Sequence, residues 1–381
     1  MFDFCPFHQR HLALSCPESF LRGVHSCSLF AEACNSSLLF SISCALFLAP
    51  KDFHEGAKNY RGVPLRARSF GPLARRRCAG IQSSQQHRGI LVIHRHVFHN
   101  DKLFPVEDCR LSPGQAGLIC GWGLFTTIRI FKGEAFGYER HWRRLEKDAA
   151  IIRLPMPYSG PKVRVHLQEV IRANKVSDGC GRIYLIYNQV SAWRSEETMP
   201  QVDLVIYTAS LPEYKEPIRL AVREHGRHAA SALAGVKTIS WLPNVWAVAE
   251  AQKEGFDEVV LLNERGEVAE CTAANIFLVK GEKVFTPPLS SGCLEGVTRG
   301  ILMEIAPEAG ISVVEQTLKP EDFAGANEVF ITSTNRNLLG VTEIGGHKIP
   351  IAPGPITRRL DELFDFYVTE YVSRRLASAA R

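Results

Sequence analysis

The sequence predicts an α/β (α+β) fold built in two parts, and three observations carry that prediction. After residue 91, runs rich in β-branched residues alternate with segments of helical period. A proline-bearing, charged stretch at 211–217 breaks the pattern once, as a linker does. The first 91 residues follow neither periodicity. We therefore divide the chain into an atypical leader (1–91), a small α/β domain (92–210), a linker (211–218) and a larger domain (219–381).

The small domain opens near Ile93 with a strand carrying His94, His96 and His99. Two histidines in His-x-His share one face of a strand, a spacing zinc can use. The simpler reading, an edge strand with exposed polar side chains, is preferred, and no metal site is expected. Residues 124–131 (Phe-Thr-Thr-Ile-Arg-Ile at their centre) read as a strand, and Gly133-Glu134 as the turn after it. Residues 141–152 have helical spacing, with Leu145, Ala149 and Ile152 on one face. Residues 181–187 and 203–209 supply two more strands.

In the larger domain Pro243 suits the first turn of a helix that ends near Gly255. Residues 258–262 and 274–280 read as strands, with Glu282-Lys283 as a hairpin-like turn before Phe285. Residues 296–308 read as a helix opening after a Gly-rich loop, and 357–373 as an amphipathic helix. No internal repeat and no low-complexity segment interrupts this body.

Composition narrows the function. The chain has 381 residues, 45% hydrophobic and 22% charged, ordinary for a globular protein. Its formal charge of +5 resides in the leader, whose first 88 residues hold 11 Lys and Arg against 5 Asp and Glu. The body is close to neutral, which gives nucleic-acid binding no electrostatic support. The apolar run 38–49 is too short and too polar to span a membrane.

The leader also holds six of the 11 cysteines, at irregular spacing. Three readings of it stand: a translation start placed too far upstream, a Ser/Arg-rich transit peptide, or an extra domain. The first is preferred, because recognisable pattern begins only near Ile93. The remaining cysteines are scattered, without Cys-x-x-Cys, as suits a reducing cytoplasm.

Five segments carry the chemistry. They are His141-Trp-Arg-Arg-Leu145, Gly235-Val-Lys-Thr-Ile-Ser-Trp-Leu-Pro-Asn-Val245, Val268-Ala-Glu-Cys-Thr-Ala-Ala-Asn-Ile-Phe-Leu-Val279, the loop 286–300 and Asn327-Glu-Val-Phe-Ile-Thr-Ser-Thr-Asn335. In this order and spacing they resemble the class IV aminotransferases, the fold-type IV pyridoxal phosphate enzymes. That family includes branched-chain aminotransferases, D-amino acid aminotransferases and aminodeoxychorismate lyases. The resemblance extends over residues 93–381 and implies the two-domain fold of D-amino acid aminotransferase-like proteins.

The resemblance gives residues roles. Lys237 is expected to form the Schiff base with pyridoxal 5′-phosphate and to carry the substrate's α-proton. Glu270 is expected to pair with the cofactor's ring nitrogen, keeping it protonated. Arg144 matches the family's phosphate arginine. Arg143 is the alternative, and neighbours on a helix point about 100° apart, so one alone reaches the site. Val297 and Thr298 open a helix whose free amides suit an anion. Thr334 matches another phosphate ligand, and Leu294 an apolar residue packed on the ring. The plainer readings are a surface lysine at a strand end, an exposed turn acid and a β-turn threonine.

Arg129 and Arg182, on strands facing the cofactor, are expected to meet substrate carboxylates. Asn335 is a further substrate-binding candidate, and Phe125, Tyr184 and Trp241 can line an apolar pocket. Branched-chain members usually carry a tyrosine just after the lysine. Here the nearest aromatic is Trp241, whose indole donates a hydrogen bond but does not ionise. The expected activity is transfer of an amino group from a branched-chain L-amino acid to 2-oxoglutarate, in a cytoplasmic homodimer. The Phe125-Thr-Thr-Ile-Arg129 and Glu270–Phe277 segments also look like the lyase branch, and a D-amino acid aminotransferase is a second rival.

Overall fold

The computed structural model describes residues 92–188, 200–214 and 216–379. The leader, 1–91, lies outside the described residues.

A six-stranded antiparallel sheet uses β1 (Ile93–His99), β2 (Lys102–Pro105), β3 (Gly123–Phe131), β4 (Glu134–Ala135), β5 (Asp178–Tyr187) and β6 (Val202–Ala209). Its order is β2-β1-β6-β5-β3-β4. With it come helices α1 (Ala116–Cys120), α2 (Tyr138–Ile152) and α3 (Gly160–Ala173). Leu145 and Ala149 of α2 and Val163 and Leu167 of α3 join Ile128, Ile183 and Ile206 of the strands in one core. Full burial of each such aliphatic side chain stabilises the fold by about 1.5–3 kcal/mol.

A nine-stranded mixed sheet follows. Its strands are β7 (Ile218–Arg223), β8 (Glu258–Leu262), β9 (Val268–Cys271), β10 (Asn275–Lys280), β11 (Lys283–Thr286), β12 (Ser312–Glu315), β13 (Glu328–Ser333), β14 (Asn337–Ile344) and β15 (His347–Lys348). The order is β12-β11-β10-β13-β14-β7-β8-β9, with β15 on β14. Helices α4 (Leu242–Lys253), α5 (Val297–Ile305) and α6 (Pro355–Ala379) accompany it. Both faces of β10 and β13 are buried. Ile276 and Ile331 meet Leu318 and Phe323 on one side. Phe277 and Phe330 meet Ile301 of α5 and Phe364 of α6 on the other. Two-sided burial is why these strands read as unbroken apolar runs. Phe277 and Phe330 stack with centroids 4.9 Å apart.

Several elements differ from the sequence reading, each for a local reason. The helix read at 296–308 ends as α5 at Ile305 and continues as a 3₁₀ turn, because Pro307 cannot donate a backbone hydrogen bond. The C-terminal helix is longer than read, since Pro355 occupies a first-turn position where its missing N–H costs nothing. The hairpin turn lies at Gly281-Glu282, with Gly281 at φ +60°, and Lys283 already pairs with Lys280. Helices α1 and α3 and strands β2, β4, β7, β9, β12, β13, β14 and β15 have no counterpart in the sequence reading.

Strand β1 is not an edge: β2 covers one side and β6 the other. Its histidines are used separately. The His94 ring bonds Thr208 Oγ1, the His96 ring approaches Asn174 Oδ1 at 3.2 Å, and His99 lies 3.5 Å from Asp203. Among the described residues, no helix is long and apolar enough to cross a membrane, and no three His, Cys, Asp or Glu side chains are grouped to hold a metal ion.

Candidate active site

The segment after β7 returns to the first sheet and lies along β3. Phe125 N donates to Lys237 O (3.2 Å), Ile239 N donates to Gly123 O (3.0 Å), and Leu124 and Thr238 form a β-bridge. Gly235, at φ +72°, makes the turn that brings the lysine there. Lys237 N donates to Asp148 Oδ2 on α2 (3.1 Å). The lysine backbone is thus held by β3 on one side and α2 on the other.

Lys237 points into a cavity of about 650 Å³. Its Nζ lies 4.6 Å from the Phe125 ring centre and 4.7 Å from the Trp241 ring, two rings set edge to face. Burial, then the charge of Arg144, pulls the amine's pKa down to about 7, with Glu270 opposing. Desolvation disfavours the ammonium form, so the amine is available as a nucleophile and base near neutral pH.

Glu270 is buried on β9 and is not an exposed turn acid. The turn lies upstream, with Gly266 at φ +72°. The carboxylate accepts from Arg227 Nε (2.9 Å) and from the backbone amide of Leu294 (3.0 Å). Arg227 is braced in turn by Asn244 Oδ1 (3.0 Å), whose own amide donates to Thr272 O.

An anion cup lies in the same cavity. Arg144 is buried on α2 while Arg143 is exposed, which separates the two candidates. Arg144 donates to Glu295 O (3.0 Å) and to Thr126 Oγ1 (3.1 Å). His141 backs this arrangement, its Nδ1 2.8 Å from Thr126 Oγ1. Burial, then the charges of Arg144 and Lys237, holds its pKa well below the ordinary value, so it is neutral. Helix α5 starts at Val297 and Thr298 with no side-chain cap on its N-terminus, leaving amides aimed outward. A Cβ on Gly296 would overlap Asn275 Oδ1, so glycine is required where that asparagine braces Leu294 O.

Leu294, Thr334, Asn335, Arg182 and Trp241 line the same cavity. Arg182 donates to Tyr184 OH (3.0 Å), and its guanidinium lies 5.5 Å from the Phe125 ring centre. Phe125, Tyr184 and Tyr207 form a stacked row. Buried polar atoms without protein partners gather here: Arg182 Nε, Thr332 Oγ1, Asn335 Oδ1 and Arg336 Nη1. Such atoms are costly unless something else satisfies them. An amine, a braced carboxylate, an anion cup and spare donors in one cavity fit a phosphorylated aldehyde cofactor.

Arg129 corrects one expectation. It shares the β3 face with Phe125 and Thr127, but each step of two residues advances about 6.6 Å along a strand. Its guanidinium pairs with Asp178 (2.8 Å) and borders a smaller cavity of about 300 Å³, which shares Val297, Thr298 and Thr334 with the cavity of Lys237. Arg129 does not line the cavity of Lys237.

The sequence reading missed Asp148, Arg227, Thr126, Asn275 and Arg336. Asp148 was findable, being four residues after Arg144 and so on the same helix face. Arg227 was not, since only the folded chain brings it to Glu270.

Fold and site together define an enzyme that handles amino groups through a carbonyl cofactor. Residues 123–344 match the family amino-transferase class IV, and the chain belongs to that family, which works through pyridoxal 5′-phosphate. The branched-chain-amino-acid aminotransferase of Escherichia coli K12 is 27% identical over 282 residues, covering 71% of this chain and 91% of that one. Its crystal structure matches with a TM-score of 0.68 at 25% identity, over 72% of this chain and 95% of that one, so the fold is that of fold-type IV aminotransferases. The D-alanine aminotransferase of Bacillus licheniformis is 28% identical over 275 residues, 69% of this chain and 94% of that one. A Legionella pneumophila structure, provisionally named a 4-amino-4-deoxychorismate lyase, matches with a TM-score of 0.63 at 26% identity, over 68% of this chain and 96% of that one.

Proposed function

We propose that this aminotransferase moves the amino group of a branched-chain L-amino acid to 2-oxoglutarate in a ping-pong cycle. The observation that carries the reading is the Lys237 amine, enclosed by Phe125 and Trp241 and held near neutrality, in one cavity with the braced Glu270.

When bound, pyridoxal 5′-phosphate supplies an aldehyde that takes up the amino group and a ring that draws electrons from the substrate's α-carbon. Arg144, Thr298, Thr334 and the first amides of α5 would hold its phosphate. Glu270, fixed by Arg227 and the Leu294 amide, would pair with its ring nitrogen, and Leu294 would pack on the ring. Lys237 Nζ would anchor the group and carry the substrate's α-proton. The paired rings beside Nζ exclude water and favour an apolar substrate side chain. Arg182, with an unpartnered Nε, receives a substrate carboxylate, and Asn335 borders the same space.

Two expected outcomes test these roles. Arg144→Ala weakens cofactor affinity on the order of 10–100-fold, the loss of charge-assisted hydrogen bonds, while Arg143→Ala leaves it within twofold by equilibrium dialysis. Arg182→Ala raises KM for amino donor on the order of 10–100-fold, with a smaller change in kcat.

The cytoplasm and a homodimer are part of the same reading. Leu242, Val245 and Trp246 of α4 are 55–74% exposed, beside Ile119 and Trp122, where Ser240 Oγ donates to Gly121 O. An apolar face of this kind supports a partner copy.

Two other substrates have specific support, D-alanine from the Bacillus relative and aminodeoxychorismate from the Legionella neighbour. The deciding assay offers L-leucine or D-alanine with 2-oxoglutarate, and aminodeoxychorismate alone. Glutamate from L-leucine supports the reading. Pyruvate and 4-aminobenzoate from the third, with no glutamate, would move the protein to the lyase branch.

A further inference from the structure

Helix α2 does more than supply the arginine of the anion cup. Asp148 follows Arg144 by one turn, and both are buried on the face toward the site. The Asp148 carboxylate accepts the backbone N–H of Lys237. A neutral serine or asparagine could accept that bond, so a buried carboxylate here has to be explained by its charge. Ionised carboxylates are seldom buried without a cation to balance them.

We propose that Asp148 is a positioning residue for Lys237: it pins the lysine's backbone to the helix that carries Arg144, and its charge offsets the arginines that crowd the lysine's amine. The inference rests on Lys237 being the cofactor-bearing lysine.

The groups around the amine show why an offset is needed. From α2 come Arg144, Asp148 and the neutral His141, from β5 Arg182, and from β9 Glu270. Arg144 and Arg182 join burial in disfavouring the ammonium form, and Glu270 and Asp148 oppose them. Glu270 is already engaged by Arg227 and Leu294 N. Asp148 is the other anion acting on the amine. Its own carboxyl is pushed up by burial, against the Lys237 N–H and the charges of Arg144, Lys147 and Lys237. Because one rigid helix bears both Arg144 and Asp148, it sets the spacing between the phosphate end of the site and the lysine.

The test uses full-length protein and two variants. Asp148→Asn keeps a carbonyl acceptor for the N–H and removes the charge, while Asp148→Ala removes both. Lys237 is labelled with acetic anhydride across a pH series after cofactor is removed, and the extent is read on its peptide by mass spectrometry. Wild type should show an inflection near pH 7. In Asp148→Asn the inflection falls, by up to about one pH unit, the effect of losing an opposite charge, with cofactor affinity kept within threefold. Asp148→Ala shows the same fall and also binds cofactor at least about tenfold more weakly.

An unchanged inflection in Asp148→Asn overturns the proposal, even if that variant melts at lower temperature, since a purely structural carboxylate would behave so. Should Asp148→Ala not accumulate, Asp148→Asn decides alone. Borohydride reduction of wild-type holoenzyme is run in parallel. Cofactor mass fixed on a peptide other than that of Lys237 would defeat the assignment of the lysine itself, separately from the role of Asp148.

Discussion

Replacing Lys237 with alanine or methionine is expected to lower turnover by roughly 10⁴-fold or more, since one amine is both the covalent anchor and the proton carrier. The same change is expected to stabilise the cofactor-free protein. In the folded chain the amine's pKa is about 7, against an ordinary value of 10.5. Between those values the folded state binds fewer protons than the unfolded one, so this group makes stability rise with pH across that window. Its cost is therefore full below about pH 7 and fades toward pH 10.5. Methionine, apolar and of similar length, removes the cost, a gain of at most a few kcal/mol at neutral pH. Urea denaturation of cofactor-free protein at pH 7 and pH 10 checks the sign. Lys237→Met should be the more stable at pH 7, and the two should converge at pH 10. A methionine variant weaker at pH 7 would contradict the buried-amine account.

Glu270→Gln is expected to lower kcat on the order of 10²–10³-fold, the scale of removing one preorganised electrostatic group from a transition state. The effect has two parts. The charge that favours a protonated ring nitrogen is lost. The carboxylate also accepts from Arg227 on one oxygen and Leu294 N on the other, and an amide offers one acceptor for two donors. One donor is then left facing an NH₂ group. Glu270→Asp separates the parts, because it keeps the charge and both acceptors on a shorter arm. Single-turnover reaction with L-leucine, followed by cofactor absorbance, should rank wild type above Asp and Asp well above Gln. A glutamine variant within fivefold of wild type would remove Glu270 from the chemistry.

Much of this was legible in the sequence because local chemistry and local structure agree. The β-branched run of β3, the unbroken apolar run of β10, and the glycine before α5 each state their conformation within a few residues. Lys237, Glu270, Arg144 and Thr334 stand in motifs whose order survives as shared space in one cavity. What was not legible depended on distance along an element or on tertiary contact. Strand alternation gives Arg129 its face but not how far along β3 it lies, and that distance separates it from Lys237. Arg144 is favoured over Arg143 by its place in the motif, and the packing of α2 buries Arg144 and leaves Arg143 exposed. Arg227 and Asn244 show no periodic signal, because their partner, Glu270, belongs to a different strand.

The most direct measurement is borohydride reduction of the purified holoenzyme, followed by digestion and mass spectrometry. The account predicts cofactor mass on the Lys237 peptide. That label should disappear when L-leucine is added before reduction and return when 2-oxoglutarate follows, as a ping-pong aminotransferase requires. A label on another lysine, or one that neither substrate alters, would contradict it.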